Sequence, residues 1–450
     1  MAFMESQPAA GLSAHFADHL SVVTAHVTRA LAASRYDALL LYSGTRKPVF
    51  RDDCHYPFRA NAPFKAFLPL TDAPESFVYF VPGARPLLIF HRADDYWHKP
   101  AGLPEAQWVA SFDVRVVSSR AAARAALPRD LSRCAFVGEA FAELASFGVG
   151  AVNPEHLLIR LEFPRAVKTP YELAAMRTAN LLGARGHLAA AQAFAVGGSE
   201  FDISLAFLRG TGLREQELPY NPIIALNEGA AVLHYQVLQR EPPAVTHSLL
   251  IDAGAEFAGY ASDITRTHAA APGDFADLIG AMDKLQLQLC DRTRAGVDWR
   301  DIHLLSYRGI GQVLIDAGVL RCSLDEAQAR GLIRVFYPHG IGHLLGLQVH
   351  DTGGLWADDV GQTIARPDGH PFLRLTRVLE PGFVVTMEPG LYFIDVLLAE
   401  ARSDGRSQAI DWSRVAALRP YGGIRIEDNL AVQPAGPPEN LTRNAFRAAA

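Results

Sequence analysis

Two aspartates open the chemistry of this chain. In LLIDAGAEFAGYASDITRTH, Asp252 and Asp263 stand on two strand-like stretches joined by a turn containing Gly259, so their carboxylates could face each other across a hairpin. Alone, such a pair also reads as turn formers or solvated charges. The run Leu249, Leu250, Ile251 just before Asp252 predicts burial, and a carboxylate there needs a cation or several donors to stay ionised. Downstream, FYPHGIGHLLGLQVHD supplies His339, His343 and His350. His339 and His343 have the i, i+4 spacing of a helical zinc pair, but Pro338, Gly340 and Gly342 disfavour a regular helix. One of them is therefore expected as a metal ligand and another as a substrate or supporting group. Strand alternation in VVTMEPG puts Thr386 and Glu388 on one face, and in GGIRIEDNL it puts Arg425, Glu427 and Asn429 opposite Ile424 and Ile426. Each strand points a glutamate away from its apolar face, although a solvated outer face gives the same alternation.

Together these residues make a set of four carboxylates and one imidazole, whose charge calls for roughly two divalent ions. Paired ions would bridge a water and hold it as hydroxide for attack on a polarised carbonyl, which is hydrolysis. Mostly oxygen ligands with one nitrogen suit manganese, cobalt or zinc better than copper.

The ordered set Asp252, Asp263, His343, Glu388 and Glu427, inside IDAGAEFAGYASDITRT, HGIGHLLGLQVHD, TMEPGLYF and GGIRIEDN, resembles the metallopeptidases of the pita-bread fold. Within that group it is most similar to the prolidases, or Xaa-Pro dipeptidases, of the bacterial type also called organophosphorus acid anhydrolases. The similarity extends over nearly the whole chain, including FRDDCHYPFRANAPFKAFLPL and WSRVAALRPYGGIRIED.

The resemblance implies that Asp252 chelates one metal, that Asp263 and Glu427 bridge both, and that His343 and Glu388 bind the other, with Glu388 also shuttling a proton. It implies that His234, His350 and Arg374 grip the substrate's terminal carboxylate and that His339 and Arg425 steady the intermediate. Tyr220 and Leu233 match small-pocket positions, and Asp53 matches one that reaches the neighbouring subunit's site. Trp299, in VDWRDIH, stands where a pocket tyrosine is expected, so it should narrow or repack that subsite. The implied cofactors are two divalent ions, manganese foremost with cobalt or zinc as alternatives. The implied partners are Xaa-Pro dipeptides and a second copy of the chain in a homodimer, and a side activity on organophosphorus triesters or fluoridates follows. An aminopeptidase P would share the five ligands but accept longer peptides, and the carboxylate-binding residues argue against it. A metal-free pita-bread protein-binding module has no reason to keep all five ligands.

Holding such a site takes a large folded framework, and the chain has one. Its 450 residues make two or three domains at about 150 each. A hydrophobic fraction of 49% with 20% charged residues is that of a soluble globular protein. The net charge of −6 gives no basic excess for nucleic acid or an anionic membrane. Cys54, Cys134, Cys290 and Cys322 are too scattered for a disulfide framework, which fits a reducing cytoplasm. The first residues lack a basic stretch followed by an apolar run, and no apolar segment is long enough to span a membrane, so neither export nor membrane insertion is expected.

The elements predict an α/β (α+β) chain. Residues 12–33 read as an amphipathic helix, and 38–42, 77–81, 87–91 and 134–138 read as strands of a mixed domain covering 1–168. Thr169, Pro170 and Glu172 signal a capped long helix that opens the catalytic domain, 169–440. Its strands are expected at 223–228, 248–267, 383–388 and 423–433, and the last residues, 441–450, are expected to fray.

Overall fold

The computed structural model describes residues 8–94, 96, 97, 99, 102, 103 and 106–450, which divide into two compact units. The first runs up to Ala175 and adds Ala258–Tyr260 and Asp358–Gln362. Its sheet has six strands: β1 (Ala38–Tyr42), β2 (Phe77–Phe80), β3 (Leu87–His91), β4 (Asp113–Val117), β5 (Leu131–Val137) and β6 (Val149–Val152). Their order is β4-β3-β2-β1-β5-β6, so β1 lies inside the sheet, antiparallel to β2 and parallel to β5. Every residue of β1 is buried, which is why ALLLY is an unbroken apolar run rather than an alternation. Tyr42, Phe77, Phe136, Phe141 and Phe147 interlock beside it, with the Tyr42 and Phe77 rings stacked 4.8 Å apart.

The second unit starts at Met176, inside the helix Pro170–Ala195, whereas the capping signal predicted a boundary near Lys168. The cap itself forms: the Thr169 amide donates to Glu172 Oε2 at 2.8 Å, and the Glu172 amide donates to Thr169 Oγ1 at 3.4 Å. Strands β7 (Ile223–Leu226), β8 (Ser248–Asp252), the short β9 (Glu256–Phe257) and β10 (Tyr260–Ala261), and β11 (Thr265–Ala269) come next. In a three-stranded antiparallel sheet, β8 lies between β11 and β7, with Thr265 paired opposite Asp252. Later come β12 (Val384–Met387), β13 (Gly390–Tyr392), β14 (Gly423–Arg425), β15 (Asp428–Ala431) and β16 (Glu439–Asn440). Of these, β15 pairs with β12 and β16, and β13 pairs with β14.

Direct backbone bonds stitch these groups together at the motifs. The Glu427 amide donates to the Thr265 carbonyl, the Thr386 amide to His343 and the Glu388 amide to Ile341, each at 3.0 Å. Gly342, at φ +157°, allows the close approach: a Cβ there would lie 2.1 Å from the Thr386 carbonyl oxygen.

The end of the chain corrects an expectation. Instead of fraying, Leu441–Ala449 is a helix capped by Asn440, with Leu441, Thr442 and Ala445 in one buried stripe. Thr442 Oγ1 accepts from the Asn429 amide at 2.9 Å and donates to Asn180 at 2.7 Å.

Within the helix Pro170–Ala195, buried His187 donates from Nε2 to the Ala253 carbonyl at 2.9 Å, and burial pushes its pKa down to about 3. A depressed histidine pKa means that below about 6.5 the unfolded chain takes up a proton that the native state refuses. Its stabilisation is therefore full above that pH and is lost as pH falls toward 3. Between pH 7.5 and 5.5 this histidine should account for a loss of about 1.4 kcal/mol. Urea titrations of His187→Gln, which keeps the donor, should show a pH-dependent loss smaller by that amount than the parent chain.

Candidate metal and active site

Asp252 ends β8, where the apolar run LLI carries the chain from the core to the end of this central strand. Its Oδ2 accepts from Arg425 Nη2 at 2.7 Å and its Oδ1 from the Tyr220 hydroxyl at 2.7 Å. The same hydroxyl lies 2.6 Å from Asp263 Oδ1, so one phenolic proton stands between two carboxylates. Asn429 fixes the Asp263 backbone by accepting its amide at 3.0 Å and donating to its carbonyl. His343 donates from Nδ1 to the Leu344 carbonyl at 2.9 Å, which turns Nε2 toward Asp263 Oδ2 at 3.4 Å and Glu388 Oε1 at 3.6 Å. Thr386 Oγ1 donates to Glu388, and Thr265 Oγ1 donates to Glu427 Oε2 at 2.7 Å.

Asp263, His343 and Glu427 are buried, with one ligand atom of each within 4.8 Å of the others. Burial, then the charges of Asp263, Glu388 and Asp252, pushes Glu427 well above the usual carboxylate range. Burial lifts Glu388 to about 7 and raises Asp252 against the pull of Arg425. For Asp263 burial is outweighed by His343 and the Tyr220 hydroxyl, which hold it below its ordinary value. Like charges this close in a desolvated place call for positive charge among them. Burial lowers the His343 imidazole, yet Asp263 and Glu388 raise it above its ordinary value, so its Nε2 also faces a place that favours positive charge, and the donor set fits divalent metal. All five predicted ligands converge on this point.

The cluster lies on the wall of a cavity of about 610 Å³, a volume suited to a small ligand. Leu233, His234, His339, His350, Arg374 and Arg425 line it too. The His350 ring stands edge-on to His343 with centroids 4.4 Å apart, and burial with the His343 and Arg374 charges lowers its pKa to about 4. Both ring nitrogens of His339 are engaged: Nδ1 donates to the Gly340 carbonyl at 2.7 Å, and Nε2 accepts from the Tyr392 hydroxyl at 2.9 Å. That hydroxyl in turn accepts from Arg425 Nη1 at 2.8 Å. Tyr392 thus ties His339 to Arg425, and Arg425 ties both to Asp252.

Two expected pocket residues lie elsewhere. Trp299 is the first residue of the helix Trp299–Asp316 and is 0% exposed, so its indole packs in the core rather than on the cavity wall. Tyr220 sits beneath the aspartates, bonded to both, and is absent from the wall. Asp53 is exposed on the first unit beside Asp52 and Cys54. Sequence reasoning missed Tyr392 and Thr265, although alternation carried a signal: Thr265 follows Asp263 by two, and Tyr392 ends a strand after the TMEPG motif.

Comparison with known proteins decides the family. Residues 14–163 match the N-terminal domain of Xaa-Pro dipeptidase, and residues 174–434 match metallopeptidase family M24. The chain belongs to metallopeptidase family M24. An Xaa-Pro dipeptidase of Stenotrophomonas maltophilia is 49% identical to this M24 chain over 435 residues, covering 96% of it and 98% of the relative. One from Xanthomonas axonopodis pv. citri is 47% identical over 443 residues, covering 98% and 100%. The fold is shared with the aminopeptidase PepP of Pseudomonas aeruginosa, at TM-score 0.71 and 23% identity over 96% of this chain and 98% of that one. It is shared equally with Escherichia coli aminopeptidase P bound to the inhibitor Pro-Leu, at TM-score 0.70 and 22% identity over 95% and 98%. The M24 chain therefore has a mixed α/β N-terminal domain followed by a pita-bread peptidase domain, and it is a metal-dependent peptidase.

Thr265 Oγ1 also accepts from Arg425 Nε at 3.2 Å, so it orients both Glu427 and Arg425 in this M24 site. Groups that orient metal ligands typically contribute about 10- to 100-fold in affinity. Thr265→Val, of similar volume but without the hydroxyl, should weaken Mn2+ binding by that factor in a calorimetric titration while keeping the circular dichroism of the parent.

Proposed function

We propose that this M24 chain is a dinuclear-metal Xaa-Pro dipeptidase. One cavity places a cluster of four carboxylates and one imidazole together with His234, His350 and Arg374, and this combination supports the reading. The names of the relatives at nearly half identity support it as well.

In this reading Asp252 would hold one ion, His343 and Glu388 would hold the other, and Asp263 and Glu427 would serve both. Two divalent ions so placed, manganese foremost, supply Lewis acidity and a water of near-neutral pKa. An Xaa-Pro bond is a tertiary amide without the N–H that general peptidases grip, so recognition falls on the ring and on the charged ends. Arg374, with His234 and His350, receives the terminal carboxylate through charge-assisted hydrogen bonds. Glu388, on the cavity wall, would take a proton from the attacking water and return it to the departing proline nitrogen. Arg425, tethered to Asp252 and Tyr392, offers positive charge beside the developing oxyanion.

The reading extends to organophosphorus triesters and fluoridates, because a tetrahedral phosphorus centre has the shape that an attacked amide carbon acquires. With Trp299 in the core, the bulk expected to narrow the cavity is not on its wall. It extends also to a cytoplasmic homodimer in which Asp53 serves the partner's site. No helix among the described residues is long and apolar enough to cross a membrane.

Release of alanine should be at least about 100-fold more efficient from Ala-Pro than from Ala-Pro amide or Ala-Pro-Ala, since only the first offers a proline carboxylate to Arg374. Equal cleavage of Ala-Pro-Ala would make the chain an aminopeptidase P-like enzyme instead. Arg374→Ala should raise KM for Ala-Pro about 10- to 100-fold and change kcat far less, because the contact persists from ground state to transition state. Asp263→Ala and Glu427→Ala should each abolish turnover.

A further inference from the structure

Behind the cavity lies a second cluster that the proposed chemistry does not use. His303, on the helix Trp299–Asp316, is 1% exposed, and its Nε2 lies 2.8 Å from Nδ1 of His370. The two rings stand at 86°, and Tyr307, one turn further along the same helix, also stands edge-on to His370 with ring centroids 4.9 Å apart. His303 Nδ1 has no partner among the described residues. An orphaned buried N–H is more costly than an orphaned lone pair, so the His303 proton sits on Nε2 and is donated to His370.

His370 belongs to a segment that lines the active cavity through Arg366, Pro371, Phe372 and Arg374. The segment is closed on itself. The His370 amide donates to the Pro367 carbonyl at 3.1 Å across a turn with Gly369 at φ +79°, and Arg366 Nε donates to the Leu373 carbonyl at 2.6 Å. Its backbone packs on the glycine that follows His339, where a Cβ on Gly340 would come within 3.0 Å of Leu373 Cα. Phe372 nevertheless stays 64% exposed at the rim, and Arg374 is exposed too. The side chains that meet substrate thus stand on a surface segment whose turn is pinned to a core helix by one imidazole pair.

We infer that His303 and His370 are positioning residues: their hydrogen bond holds the 366–374 segment over the cavity and so sets where Arg374 and Phe372 meet the substrate. This rests on the dipeptidase reading for its substrate, but not for the hydrogen bond itself. The pairing also sets what can replace it. An asparagine at 370 puts its amide oxygen where Nδ1 stands, and a glutamine at 303 puts its amide nitrogen where Nε2 stands, whereas leucine or alanine at 370 removes the acceptor.

The test measures KM and kcat for Ala-Pro together with hydrogen exchange of amides 366–374. His370→Leu and His370→Ala should raise KM roughly 5- to 20-fold, with kcat within about twofold, and should speed exchange in that segment alone. His370→Asn and His303→Gln should stay within about twofold of the parent in both readouts. In an Arg374→Ala background, His370→Leu should add little further KM effect, because both act on one contact. An unchanged KM and exchange rate in His370→Leu and His370→Ala would overturn the inference, as would an equal rise in KM for His370→Asn. If the parent fails to cleave Ala-Pro, the dipeptidase reading falls, and the exchange comparison between leucine and asparagine at 370 still decides the latch.

Discussion

The structure depends on the electrostatics of four carboxylates gathered where water is scarce. Two of them, Glu427 and Glu388, are driven toward their protonated forms by burial and by their neighbours. Such an arrangement is unfavourable by itself and becomes favourable only when cations occupy it. Much of the second unit can be understood as the means of enforcing it. Asp252 and Asp263 come from the β8–β11 hairpin region, Glu388 from the end of β12, and Glu427 from the link between β14 and β15. Backbone bonds between Thr265 and Glu427, and between Thr386 and His343, leave these segments little freedom to separate.

Around the carboxylates stands a shell of donors that fixes each ligand's orientation. Thr265 serves Glu427, Thr386 serves Glu388, Asn429 holds Asp263, and Arg425 holds Asp252 while bracing Tyr392 and His339. Precise ligand placement matters here because metal affinity and water acidity both respond to it. The fully engaged nitrogens of His339 assign it to this supporting shell, with Tyr392 as the link that joins it to Arg425.

The site was legible in the sequence because strand alternation and buried runs are local signals. LLID places a carboxylate at the end of a buried strand, and TME and RIE set glutamates on the face opposite the apolar residues. The glycines at 340 and 342 correctly excluded a helical histidine pair, and the extended backbone there packs against β12. What stayed hidden depends on tertiary packing. Trp299 looked like a wall residue by position, yet it lies on the buried side of its helix. Tyr220 reads as a pocket aromatic until its hydroxyl is seen to sit between two aspartates. The His303–His370 contact joins residues from a helix and a distant turn, and no pattern along the chain announces it. The C-terminal helix went unread because the alanine-rich composition of the tail outweighed the helical spacing of Leu441, Thr442 and Ala445.

Metal stoichiometry tests most directly whether the buried carboxylate cluster holds two cations, as proposed. The chain is stripped with chelator, equilibrated by dialysis against increasing Mn2+, and its bound metal is measured by plasma mass spectrometry beside Ala-Pro cleavage on the same samples. Saturation at two ions per chain, with cleavage rising as the sites fill, is the predicted result. Saturation at one ion or none, with full cleavage retained, would contradict it.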